Sequence, residues 1–242
     1  MRILRKEYLV ILNDRFRHFV YMCLITTYVF CQESPNASYD LSVPLDEKSE
    51  LYKIGHKIVY EWRCDEKGQC NQPSFKCDNE SRLNDIELEI CSKADEWFRG
   101  FTSIILYDNF FTSYYHLIMQ HTPKDKKQEI KRIAKEAMKQ RDSIDIQQCV
   151  DNALNGTDTL LCIDSQIVEI YYQGLYDITQ YLLANDKNLF AKIFKNPKTY
   201  QILLTQDNIE VGDMWDYRFF GTFYQDNLID KTGRLIVKVD SK

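Results

Sequence analysis

The clearest pattern along the chain lies between Asp125 and Gln140, where Ile130, Ile133, Ala134, Ala137 and Met138 recur at three- and four-residue steps and charged residues fill the other positions. That period predicts an amphipathic helix. Thr122-Pro123-Lys124-Asp125 precedes it with the composition of a helix start: a capping threonine, a first-turn proline and a carboxylate at the third position. Upstream, Ile90, Ala94, Trp97, Phe98, Phe101, Ile104, Ile105, Phe111, Tyr115 and Ile118 keep the same step. They predict one helix, or two end to end, from about Asp85 to Gln120, with weak points at Gly100 and at Asp108-Asn109. Downstream, Ser143 is placed to cap a short helix with Ile146, Cys149, Val150, Ala153 and Leu154 inward, ended by Asn155-Gly156. A longer helix is expected from about Thr159 to Ala184, with Leu160, Ile163, Ile167, Ile170, Tyr171, Ile178, Tyr181 and Leu182 on its apolar face. Residues 187–204 read as one or two shorter helices broken at Pro197.

The period differs at the two ends of this helical stretch. Ile58, Tyr60 and Trp62 alternate with Val59, Glu61 and Arg63, and Asp65-Glu66-Lys67-Gly68 has the composition of a turn, so a cysteine-rich hairpin is expected over 56–80. Residues 205–242 carry a weaker signal, with Lys231-Thr232-Gly233-Arg234 as a second hairpin turn between two apolar runs. The fold class predicted is mainly α: a disulfide-bridged antiparallel helical bundle with small β-hairpin elements at the N- and C-terminal ends of the mature chain.

The first 31 residues do not belong to that pattern. Arg2, Arg5, Lys6, Arg15 and Arg17 precede an uncharged run from Phe19 to Cys31, with Val29 and Cys31 small enough for the −3 and −1 positions of a cleavage site. A basic leader before a short apolar run has the form of a signal peptide over 1–31 and is too short for a bilayer span. Pro35, Pro44 and Gly55 then mark 32–55 as an extended arm, and 56–242 as a single cysteine-bridged helical domain with its helices at 85–204.

Export changes how the cysteines are read. Without Cys23 and Cys31 six remain, Cys64, Cys70, Cys77, Cys91, Cys149 and Cys162, and an even number on an exported chain implies disulfides. Cys149 and Cys162 lie at similar distances on either side of Asn155-Gly156-Thr157-Asp158. Two helices folding back at that turn would bring them level, which makes them the expected pair. The other four would then tie the N-terminal hairpin to the first long helix; the rival is a bridge from Cys91 to Cys149 or Cys162. Asn36, Asn79 and Asn155 each begin an Asn-x-Ser/Thr triplet and are candidate glycosylation sites.

The chain carries 31 basic and 36 acidic residues, a net −5. The leader takes five basic and two acidic residues with it, leaving 26 and 34, a net −8. An acidic surface repels phosphate backbones and anionic membranes, so no nucleic-acid partner is expected, nor any stable membrane span after signal cleavage. His116 and His121 lie about 140° apart on a helix and do not converge on a metal. No nucleophile elbow, phosphate loop or CxxC spacing occurs. The expectation is no catalytic residue, no metal and no cofactor.

Three features invite a ligand. Asp108 falls on the inward stripe, where it either anchors a pocket or caps a second helix, the capping role being the simpler. The run Tyr107 to Tyr115 and the pair Tyr171-Tyr172 can line a cavity, although aromatics on helix faces more often fill a core. Lysines 124, 126, 127, 131, 135 and 139 read as a solvated helix face, with a heparin-like polyanion as the minor alternative. Asp108, Phe111 and Tyr115 form the candidate ligand pocket. The function expected is a secreted non-enzymatic binding protein for an extracellular protein or a small apolar ligand; a secreted enzyme of unidentified reaction and an extracellular structural component are the alternatives.

Overall fold

The computed structural model describes residues 44–62, 64, 66–94, 103–154, 156–194, 197–205 and 213–237. The expected signal peptide, Asn36, the Trp97-to-Phe101 part of the apolar stripe and Asn155 lie outside them. The chain is mainly helical. Among the described residues there are nine α-helices: α1 (Glu50–His56), α2 (Asp85–Ser92), α3 (Ser103–His121), α4 (Lys127–Asp142), α5 (Ile146–Asn152), α6 (Gly156–Asn185), α7 (Lys187–Ile193), α8 (Pro197–Gln201) and α9 (Asp213–Gln225).

Local chemistry sets several of the helix starts. Asn84 and Glu87 form a reciprocal capping box at α2, the Asn84 side chain accepting from the Glu87 N–H (2.8 Å) and the Glu87 carboxylate from the Asn84 N–H (3.1 Å). The side chains of Ser49, Asp145 and Asp186 cap α1, α5 and α7. The role assigned to Ser143 therefore belongs to Asp145; the Ser143 hydroxyl turns back to the Gln140 carbonyl (2.9 Å) at the end of α4. Thr122 is buried, and its N–H and hydroxyl both reach the Ile118 carbonyl, closing α3 instead of opening α4. Pro123 and Asp125 occupy the connecting turn, and α4 begins at Lys127 without a side-chain cap.

The long helix α6 carries the centre of the core. It packs against α3, α4 and α5, burying Ile163, Ile167, Tyr171, Leu175 and Ile178. A second packing centre joins α1 to α9. There Gly55 and Gly221 face each other: a Cβ on Gly55 would lie 2.0 Å from the Tyr217 carbonyl oxygen, and one on Gly221 would lie 3.2 Å from the Gly55 Cα. Small residues at both positions let the backbones touch. Phe219, Phe220 and Phe223 of α9 are fully buried and continue this contact into the rings of Tyr107 and Phe110 on α3.

No strand forms among the described residues at either end. The alternating segment at 58–62 is a π-helical turn, Lys57–Glu61, that continues α1, and both Ile58 and Val59 are buried. A strand would have put those neighbours on opposite faces. Residues 50–55, expected as part of an extended arm, lie in α1, which ends at His56. The hairpin expected at 56–80 reduces to an isolated bridge between Cys64 and Cys70, and the C-terminal one to a bridge between Ile229 and Leu235. The turn at Asp230–Gly233 does form. The Asp230 carboxylate accepts from the Thr232 N–H (2.8 Å), and Gly233 takes φ +82° with its backbone tight against Leu106.

Among the described residues three disulfides staple the fold: Cys64–Cys70, Cys77–Cys91 and Cys149–Cys162. The last ties α5 to α6 and is the expected pair, although α6 begins at Gly156, inside the segment read as a turn. The second ties the 71–79 loop to α2, and Cys91 does not reach α5 or α6.

Candidate functional site

Asp108 sits in the middle of α3, which runs unbroken past it, so neither Asp108 nor Asn109 caps a helix. Its side chain is only 2% exposed. One carboxylate oxygen accepts from the Tyr171 hydroxyl (2.6 Å) on α6, the other from the Ser74 N–H (2.5 Å). Tyr171 in turn accepts from Arg141 of α4 (2.9 Å), whose guanidinium also reaches Asp142 (2.6 Å) and Glu87 (3.3 Å). The direction of these bonds follows from chemistry: a guanidinium can only donate, a carboxylate only accept, and the phenol does both. Burial, and then the Asp108 charge, push the Tyr171 phenol well above its ordinary value, so it keeps the proton it donates, although Arg141 pulls the other way. Burial works against the Arg141 charge, but Tyr171 and Asp142 outweigh it and hold the guanidinium above its usual value.

Asn109 makes a parallel tie. Its amide donates to the Gln72 (2.9 Å) and Thr232 (3.0 Å) carbonyls and accepts from the Arg234 Nε (3.2 Å). Together these two neighbours fasten α3 to α4, α6, the 71–75 loop and the C-terminal turn. Both Asp108 oxygens and the Tyr171 hydroxyl are engaged by groups from separate segments, which makes the cluster a tie between helices.

The open site is on the other side of Phe111. A groove of about 660 Å³ runs between α3 and α4, lined by Phe111, Tyr115, Ala134, Met138, Lys131, Lys135, Lys139, Asp142 and Ser143. Phe111 and Ala134 are buried and Tyr115 and Met138 half-buried, so the floor is apolar. Phe111 is backed by the Tyr171 ring, with centroids 5.5 Å apart, and by Gly174, where an added Cβ would come within 2.7 Å of the Phe111 ring. The three lysines are exposed and stand at four-residue steps along one edge of α4, a spacing of about 6 Å per step. Among the described residues none of the three is ion-paired, and the Asp142 carboxylate at the end of the groove is taken by Arg141.

Of the three residues expected to form a pocket, Phe111 and Tyr115 therefore line this groove, while Asp108 is sealed beneath it. The lysine row and the aromatic pair are both readable in sequence. Their meeting across two helices depends on how α3 and α4 pack, and no local pattern carries that.

A third polar cluster is buried where α2 ends. The Lys93 ammonium, fully buried, lies 2.7 Å from Glu89 and 3.3 Å from Asp164 of α6. Burial pushes the Asp164 carboxyl up to about 6, with Lys93 opposing the shift and Glu89 adding to it. His116 and His121 are both exposed, and Asn79 is exposed at the start of a short 3-10 turn. Among the described residues no group of three or more His, Cys, Asp or Glu is gathered to hold a metal, and no helix is long and apolar enough to cross a membrane.

Comparison of the chain with known protein families, with curated proteins and with solved structures found no match.

Proposed function

We propose that this chain is a secreted, non-enzymatic binding protein, built as a disulfide-bridged helical bundle, that takes a small apolar ligand in the groove between α3 and α4. The observation that carries the reading is the groove itself: about 660 Å³ with an apolar floor of Phe111, Tyr115, Ala134 and Met138. That lies within the ~300–1,000 Å³ range of small-molecule sites and shares their mostly apolar lining. The buried polar clusters support the same reading, because the Asp108–Tyr171–Arg141 chain is spent on holding helices together. The three disulfides are consistent with an extracellular protein.

The test is a fluorescence titration with the neutral apolar dye N-phenyl-1-naphthylamine. A saturable one-site enhancement that disappears in Met138→Arg is expected. A linear, non-saturable response, or one unchanged in Met138→Arg, contradicts the assignment.

A second reading rests on a different surface. Leu154 is 95% exposed and Leu161 55%, with Val150 and Leu160 nearby in sequence also exposed at the corner between α5 and α6. An extracellular protein partner would bury such a corner. The Leu154→Arg variant then loses that partner while keeping the dye site.

A further inference from the structure

We propose that the groove selects a single-chain anionic amphiphile, a free monomeric fatty carboxylate in its simplest form, through the row Lys131, Lys135 and Lys139. This rests on the reading of the α3–α4 groove as an apolar-ligand site, and adds the chemical class of the ligand.

Three observations on one helix lead to it. The first is the separation of chemistry across α4. Ala134 and Met138 turn toward Phe111 and Tyr115, while the three lysines stand beside them at the groove edge. At 100° per residue, Lys131 and Met138 lie only about 20° apart, so an ammonium group and the apolar floor meet within the same groove. Lysine stems are themselves apolar and lie along such a floor with the charge held outward. A ligand with an apolar tail and one terminal charge matches that division.

The second is the sign of the charge. The chain as a whole is net −5, yet this edge presents three cations in a row. The neighbouring cation Arg132, by contrast, is matched by Glu129 at 2.7 Å. Along the groove no such partner is supplied by the described residues, and Asp142 is occupied by Arg141. The field at the groove edge is therefore positive against an acidic background, which draws an anion and disfavours a cation.

The third is shape. The row extends for about 12 Å along the helix, from Lys131 to Lys139. Beside it the floor is concave and backed by buried rings. A flat anionic surface would meet the lysines but could not reach Phe111. A lone small anion would find no buried polar group to desolvate it. The combination fits a molecule that places its tail on Phe111 and Met138 and its head among the ammonium groups.

The experiment is isothermal titration of the full chain, as secreted, with laurate and with dodecanol at monomeric concentrations, in about 50 mM and about 500 mM salt. The parent is compared with the triple variant Lys131→Gln, Lys135→Gln, Lys139→Gln, and with Lys135→Glu as an independent single change on an exposed side chain. Laurate is expected to bind about tenfold tighter than dodecanol at low salt, as three exposed charge contacts supply together. High salt and the triple variant should each erase that advantage, bringing the laurate and dodecanol affinities together. Equal binding of laurate and dodecanol overturns the anion selection and leaves the apolar-ligand reading standing. Absence of binding by both overturns the two together. Acetate or a heparin fragment displacing laurate without any contribution from its tail overturns the amphiphile. Binding to phosphatidylglycerol vesicles with none to monomeric laurate overturns it in favour of a membrane surface.

Discussion

Replacing Tyr171 by phenylalanine removes one oxygen and tests whether the buried polar chain holds the helices together. The ring is fully buried and packed against Phe111, so phenylalanine fits the same space. The hydroxyl makes two bonds with charged groups: it donates to Asp108 (2.6 Å) and accepts from Arg141 (2.9 Å). Without it, Arg141 keeps Asp142 and Glu87, and Asp108 keeps the Ser74 N–H. The Asp108 oxygen that faced Tyr171 is left without a partner where the residue is only 2% exposed. Bonds to charged groups contribute about 1.5–3 kcal/mol, and a stranded buried acceptor costs the larger end of that range, so a loss of about 2–4 kcal/mol is expected. For a domain of this size that lowers Tm by roughly 5–15 °C. The next residue provides the control, because the Tyr172 hydroxyl donates only to the Ile202 and Thr205 carbonyls. Tyr172→Phe should cost nearer 1 kcal/mol. The assay is urea and thermal unfolding followed by circular dichroism at 222 nm, with midpoint shifts compared at constant m. An Asp108→Asn, Tyr171→Phe double-mutant cycle should return a coupling of about 1 kcal/mol or more. If Tyr171→Phe costs no more than Tyr172→Phe, or the cycle is additive, the cluster is not the tie described here.

Four further outcomes are expected. The secreted product should begin near Gln32 and lose gel mass on glycosidase treatment, as N-terminal sequencing and a gel will show; material beginning at Met1 contradicts the first part. Gly55→Ala should cost about 2 kcal/mol or more in chemical denaturation, because its Cβ would strike the Tyr217 carbonyl at 2.0 Å and force α1 away from α9. Removing the Cys149–Cys162 bridge as a double alanine variant should cost about 3 kcal/mol, the loop entropy expected for a separation of 13 residues, with a stability loss below half that counting against it. The last concerns pH: the folded Asp164 carboxyl, held up to about 6 by burial, favours the folded state while protonated. Its contribution is present below the unfolded value near 4 and is lost as pH rises through about 6. Unfolding free energy should therefore change in favour of Asp164→Asn, relative to the parent, by up to about 3 kcal/mol between pH 4 and pH 8. A pH-independent difference removes the proton from the account.

Much of the helical framework is legible in the sequence because each helix repeats its burial at helical steps. The interval from Ile130 to Met138 is long enough for the period to be unambiguous, and α6 reads as well from Ile163 to Leu182. The segment Asn155–Asp158, read as a turn, separates two such patterns, so the approach of Cys149 and Cys162 follows from counting along each one, although α6 already begins at Gly156. Where the reading departs from the structure, a short window or a distant contact is responsible. Five alternating residues at 58–62 satisfy a strand period as well as a π-helical turn, and α9 decides between them by burying Ile58 and Val59 together. α9 itself is obscured by Gly221, whose use is the close approach to α1 and not helix formation. Leu154 and Leu160, assigned inward by period, point to solvent because the α5–α6 corner has nothing packed outside it among the described residues. Asp108 shows the same limit within the site. The inward stripe places it in the core correctly, but its partners Ser74, Tyr171 and the supporting Arg141 come from three distant segments. The groove is legible as two halves, an aromatic pair on one helix and a lysine row on another, and becomes a site only when they meet.

The central claim is that an apolar ligand occupies the groove between α3 and α4, and the methionines report on it directly. Met138 lies on the groove floor, whereas Met119, packed against the core, and the exposed Met214 are not among the residues that line it. With 13C-methyl-methionine labelling, addition of dodecanol should move the Met138 methyl resonance saturably and leave those of Met119 and Met214 in place. A Met138 signal that stays fixed through the titration, or shifts that follow Met214 instead, would contradict the account.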